Sequence, residues 1–89
     1  MFRGGNRLLL DEITNSKKVI GSKQVHKAVV KGITNKVFLA KDAEPHIIAQ
    51  LRELCRQNEV EIVATATMEE LGRACNIEVG SAAVALIND

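Results

Sequence analysis

Six consecutive apolar residues, Ala82-Ala83-Val84-Ala85-Leu86-Ile87, stand just before Asn88-Asp89. Successive side chains of a strand point to opposite faces. A strand apolar at every position is therefore central in its sheet and covered on both sides. The rest of the chain supplies the covering layers. Leu8, Leu9, Leu10 and Ile13 predict a helix over Arg7–Ser16. A short strand follows at Lys18–Gly21, then a helix at Ser22–Lys31. Lys36-Val37-Phe38-Leu39-Ala40 reads as a second strand, rich in β-branched, aromatic and apolar residues. Pro45 suits the first turn of the next helix, His46–Asn58, whose Ile47, Leu51, Leu54 and Cys55 share one face. Ile62-Val63-Ala64 is a third strand. Thr67 and Glu70 have the spacing of a capping box that opens a helix through Leu71, Ala74 and Cys75. Strands alternating with helices predict an α/β fold with helices on both faces of the sheet. No repeat or linker divides residues 1–89, which read as one domain.

The chain's net charge of +1 hides a strong asymmetry. Residues 1–41 carry nine Lys/Arg against two acids, a net +7, and residues 42–89 carry three Arg against nine acids, a net −6. A basic half points to a polyanionic partner; the plainer reading is an uneven solvated surface. Phe2 and Phe38 are the only aromatics, too few for stacking platforms along a single strand. If RNA is the partner, a folded RNA of defined shape suits the chain better than a single strand. No apolar run is long enough to span a bilayer, and no signal-peptide segment follows Met1-Phe2-Arg3-Gly4-Gly5, so the expected location is cytoplasmic. Gly4-Gly5 reads as a frayed terminus. Cys55 and Cys75 show no CxxC spacing and read as free buried thiols. His26 and His46 lack metal-ligand spacing and read as surface residues. No nucleophile with a matching base and no phosphate-cradling Gly-rich motif stands out, so neither catalysis nor a cofactor or metal is expected. Asp42 and Glu44, in a Pro-containing loop, read as caps of the helix that follows.

The run from Gly21 to Gly32 has one apolar and one basic face. Val25, Ala28, Val29 and Ile33 recur at the spacing of a buried stripe, while Lys23, Lys27 and Lys31 stack four apart on another face. Ser22 is a suitable N-cap and Gly32 a suitable stop. Such a helix starts with free backbone N–H groups, a lysine and a glycine that permits close backbone approach, which suits phosphates and base edges.

Several stretches now form a pattern: Gly21-Ser22-Lys23-Gln24 with Lys27; Lys31-Gly32-Ile33; Leu39 to Pro45; Leu71-Gly72-Arg73-Ala74-Cys75; and the apolar run at the end. In this order and spacing they resemble the kink-turn RNA-binding ribosomal protein family, in particular its small bacterial ribosomal-protein-like branch. The resemblance covers about residues 10–88. It implies a three-layer α-β-α sandwich with a mixed sheet of about four strands. It also implies binding, without catalysis, to a sharply bent RNA duplex with tandem sheared G·A pairs. Residues at the positions of Lys23, Gln24 and Lys27 would then meet guanine edges and phosphates, framed by Gly21 and Ser22 and extended by Lys31. A second contact would be the loop Ile77-Glu78-Val79-Gly80-Ser81, with an apolar side chain against an extruded base and amides near phosphates. Glu44 and Ile48 match positions near extruded bases in some members. Archaeal and eukaryotic members usually have Asn-Glu where this chain has Lys23-Gln24; the bacterial branch shares Lys-Gln. On the residues alone, Ile77 and Val79 equally suit the closing of a small core. The implied partners are kink-turn-containing structured RNA and the ribosome, met by a monomer. A ribosome-associated or assembly adaptor with little intrinsic RNA specificity is the alternative.

Overall fold

The computed structural model describes residues 10–88. The expected starts of the first helix at Arg7, Leu8 and Leu9, and the Gly4-Gly5 terminus, lie outside them. The described chain opens in helical residues 10–14 (α1) and continues as β1 (Lys18–Ile20), α2 (Ser22–Lys31), β2 (Lys36–Leu39), α3 (Pro45–Gln57), β3 (Glu61–Val63), α4 (Met68–Ala74) and β4 (Ala83–Leu86). The strands form one mixed sheet in the order β1-β4-β2-β3. β4 runs antiparallel to both β1 and β2, and β2 runs parallel to β3.

The period-two pattern of the strands sorts side chains into two cores. Val37, Leu39, Ala83 and Ala85 point to one face, where they pack with Val25, Ala28 and Val29 of α2 and Leu51 and Cys55 of α3. Phe38, Ala40 and Val84 point to the other, against Ile13 of α1 and Leu71 and Ala74 of α4. Val84 and its neighbours Ala83 and Ala85 are wholly buried, as a strand apolar on both faces requires. The result is the expected α-β-α sandwich. Each fully buried Val, Leu or Phe side chain contributes roughly 1.5–3 kcal/mol. Both cysteines are free and buried, and burial pushes both thiols up from their ordinary value.

Some expected boundaries move. β3 starts one residue earlier, at Glu61, because Lys36 pairs with it and Val37 with Ile62. Ile33 leaves the buried stripe and is 39% exposed. Gly32, at φ +73°, turns the chain out of helical register before Ile33 is reached.

Helices α2, α3 and α4 end alike. In α2, Ile33 N–H reaches Ala28 O (3.1 Å) and Gly32 N–H reaches Val29 O (3.1 Å). In α3, Val60 N–H reaches Cys55 O (2.8 Å) behind Glu59 at φ +58°. In α4, Ile77 N–H reaches Gly72 O (3.0 Å) behind Asn76 at φ +61°. These are Schellman closures, which place a left-handed residue just past the helix. Glycine and asparagine suit that position, whereas a glutamate there costs about 1–2 kcal/mol. Glycine's greater freedom in the unfolded chain offsets about half of any relief. Glu59→Gly is therefore expected to raise stability by about 0.5–1 kcal/mol in denaturant titration. An unchanged or lower midpoint would count against strain at Glu59.

Candidate nucleic-acid interface

The sheet order brings four connections to one end of the molecule. Ile20, the last residue of β1, pairs with Val84, and Leu39, the last of β2, pairs with Ala83. The start of α2, the 40–44 connection, the 64–67 connection and the 75–82 connection therefore converge beside the first residue of β4.

Gly21 makes the junction of strand and helix possible. Its N–H donates to Ala83 O (2.9 Å), extending the β1–β4 ladder by one residue, while its carbonyl accepts the Val25 N–H (2.9 Å) and begins α2. Its φ of +99° and ψ of 150° are open to glycine and hardly to any other residue. Gly21 thus holds the N-cap position expected of Ser22. Ser22 is the first helical residue, and no side chain caps α2. A ladder bond and a helix start on consecutive groups of one residue leave no room for a serine in ordinary N-cap geometry. The N–H groups of Ser22, Lys23 and Gln24 precede the first intrahelical bond and face outward from the sheet end.

Lys23, Gln24, Lys27 and Lys31 are all exposed. At 1.5 Å per residue, Lys31 lies about 12 Å along the axis from Lys23, away from the convergent end. Three other cations are held by carboxylates. Arg56 donates to Glu53 (3.1 Å from Nε), Arg73 to Glu69 (2.9 Å) and Lys36 to Glu12 (2.9 Å). Hydrogen bonds from Arg56 and then Gln57 hold the Glu53 carboxyl below its ordinary value. Among the described residues, no such carboxylate partner meets Lys23, Lys27, Lys31 or Lys41. Positive charge along α2 and the 40–44 connection is thus left without a carboxylate partner among the described residues.

The second candidate segment is built around α4. Thr67 Oγ1 accepts the Glu70 N–H (3.1 Å) and Glu70 Oε1 accepts the Thr67 N–H (2.9 Å), completing the expected capping box. Beyond α4 the chain folds back over the helix. Ile77 is half-buried against the α1/α4 core, whereas Val79 is 70% exposed. The two readings of this pair thus divide between the two residues. Glu78 and Gly80 are exposed. Ser81 is buried: its N–H donates to Met68 O (3.0 Å) and its Oγ to Ala83 O (2.9 Å). Its amide is therefore occupied, and Ser81 frames the loop from behind. A carboxylate on the neighbouring connection behaves differently from expectation. Asp42 does cap a helix, but it is α4, through Met68 N–H (2.8 Å), and not α3. Glu44 holds the N-cap position of α3 without a side-chain cap bond and lies 3.5 Å from His46 Nε2.

One supporting residue carried little signal in the sequence. A Cβ on Gly72 would stand 2.2 Å from Val79 O, so only glycine lets the loop lie across α4. Gly72 belongs to the Leu71–Cys75 motif but sits mid-helix, where local pattern gives no reason for a glycine. Among the described residues, no group of three or more His, Cys, Asp or Glu side chains can hold a metal, and no helix is long and apolar enough to cross a membrane.

Residues 7–89 match the ribosomal protein L7Ae/L30e/S12e/Gadd45 family. The chain belongs to that family. It is 45% identical over 69 residues to an RNA-binding protein of Caldanaerobacter subterraneus, covering 78% of this chain and 84% of that one. It is 40% identical over 68 residues to the large ribosomal subunit protein eL8 of Halobacterium salinarum, covering 75% of this chain and 57% of the other. Among solved structures, the Giardia lamblia 15.5kD RNA binding protein superposes with a TM-score of 0.85 at 27% identity, covering 91% of this chain and 72% of that one. This L7Ae-family chain thus shares the α/β architecture of that structure.

Gly72→Ala is expected to keep α4, since alanine favours helix, but to push the Val79 backbone off it. The cost should be about 1–3 kcal/mol, with amide chemical-shift changes confined to residues 76–82 and α4. A stability equal to wild type would show that the close approach does not hold the loop.

Proposed function

We propose that this chain is an RNA-binding protein that recognises kink-turns and stabilises their bent form, without catalysing a reaction. The observation that carries the reading is the pairing of two features at one sheet end. The unneutralised lysines and open N–H groups of α2 stand beside a loop that presents an exposed valine. Ordinary A-form RNA hides its base edges in a deep, narrow major groove. A kink opens that groove, so a helix start can reach guanine O6 and N7, which accept from lysine. In this reading Lys27 and Gln24 discriminate bases, Lys23 and Lys31 attract and position phosphates, and Val79 packs on an extruded base. Glu44, at the start of α3, borders the same end. The protein acts by population shift, since it binds the bent conformer better than the extended one. RNA-binding relatives and a ribosomal relative support an RNA partner, with ribosomal RNA among the candidates and a cytoplasmic site of action.

The test is a titration of kink-turn RNA and of the same RNA with its G·A pairs replaced, at two salt concentrations. Preference for the intact motif at both salts is expected. Equal, salt-sensitive binding to both would favour an adaptor with little RNA specificity. Lys27→Ala should cost about 1–3 kcal/mol of binding and narrow that preference. Lys31→Glu should weaken binding to both RNAs alike and make the slope of log K against log salt shallower by about 1 per cation removed. Unchanged binding by Lys27→Ala would remove the base-reading role.

A further inference from the structure

The Asp42 carboxylate ties the 40–44 connection to α4, 26 residues further along the chain. Its Oδ1 accepts the N–H of Met68, the first residue of α4, at 2.8 Å. That donor is among those a helix start leaves unsatisfied, and the helix's own capping box serves Glu70 and Thr67 instead. The adjacent backbone is joined too, since Lys41 N–H donates to Ala66 O (2.9 Å). From Met68 the connection continues into the candidate RNA loop. Met68 O accepts the Ser81 N–H (3.0 Å), and a Cβ on Gly80 would stand 3.2 Å from Met68 Cβ. Asp42, Met68, Ile77, Glu78, Val79 and Gly80 line one shallow groove. The side chain is exposed, so the bond is not a by-product of core packing.

We propose that Asp42 is a positioning residue of the RNA-binding loop. It fixes the first turn of α4, and through Met68 O it sets where Ser81, and so Val79 and Gly80, can stand. This rests on the function proposed above for the loop. The position of a carboxylate there is otherwise unfavourable. Asp42 joins Glu78 and the Glu69–Arg73 ion pair at the same groove, which leaves it net negative beside the surface that would meet phosphates. A negative charge at that place repels RNA, and the hydrogen bond is what the charge provides in return. Asparagine in place of Asp42 would keep an Oδ1 acceptor and lose the repulsion. Alanine would lose both. The two substitutions therefore separate positioning from charge.

The experiment uses the full chain and two readouts. The first is amide hydrogen exchange at Ser81 in the free protein, which does not depend on RNA. The second is affinity for kink-turn RNA. Asp42→Ala is expected to speed Ser81 exchange and weaken kink-turn binding, each by about fivefold to tenfold, the scale of a lost cap. Asp42→Asn is expected to keep Ser81 protection and to bind RNA as tightly as wild type or more tightly. Met68→Pro removes the donor instead of the acceptor, at a first helical position that tolerates proline. Adding Asp42→Ala to it should leave Ser81 exchange unchanged and, with the repulsion removed, RNA binding as tight or tighter, which keeps the test decisive if Asp42→Ala alone folds poorly. Full Ser81 protection in Asp42→Ala, or an Asp42→Asn variant as impaired as alanine, would overturn the positioning role. Altered Ser81 exchange in a protein whose wild type does not prefer kink-turn RNA would uphold the frame and overturn the proposed function instead.

Discussion

The central place of β4 is the constraint on which the rest depends. Because β4 runs antiparallel to both of its neighbours, its first residue lies beside the last residues of β1 and β2. The connections leaving those strands must then share one end of the sheet with the loop that leads into β4. The hydrogen bond from Gly21 N–H to Ala83 O makes this exact in register. It sets the start of α2 beside Ala83, which stands three residues from Gly80, a chain distance of at most about 11 Å. The juxtaposition of the two candidate elements follows from strand order, before any side chain is considered.

That surface is held by backbone-directed contacts more than by side-chain packing. Gly21 allows a strand to become a helix within one residue. Gly72 lets the Val79 carbonyl lie against α4. Asn76 takes the left-handed conformation that reverses the chain after α4, and Ser81 and Asp42 bond to the backbone of Met68. Exposed Lys23, Gln24, Lys27 and Val79 are thereby mounted on a hydrogen-bonded frame. Local order in the frame lowers the entropy lost when a ligand is bound. The electrostatics act in the same direction. Arg56 and Arg73 of the second half are paired with carboxylates on their own helices, and the α2 lysines are left to face solvent.

Much of the layout was legible in the residues. The ten residues of α2 agree with the expected range, because amphipathic spacing and a glycine stop act locally. The capping box at Thr67 and Glu70 and the proline at the start of α3 agree for the same reason. Ser22 and Ile33 differ for opposite reasons. Ser22 has the chemistry of an N-cap, but the ladder bond at Gly21 claims that position. Ile33 has helical spacing, but Gly32 ends the helix before it. Asp42 was legible as a cap and not as the cap of α4, since its partner lies 26 residues away.

By itself, the sequence determined the elements, their apolar faces, the two-sided burial of the last strand and the concentration of positive charge in the first half. These depend on residues within a turn or two of one another. Only the tertiary structure decided the strand order, the division of Ile77 to the core and Val79 to solvent, the need for glycine at position 72, and the link from Asp42 through Met68 to Ser81. Each of these is a contact between segments brought together by β4, and no local periodicity encodes a distance across the fold.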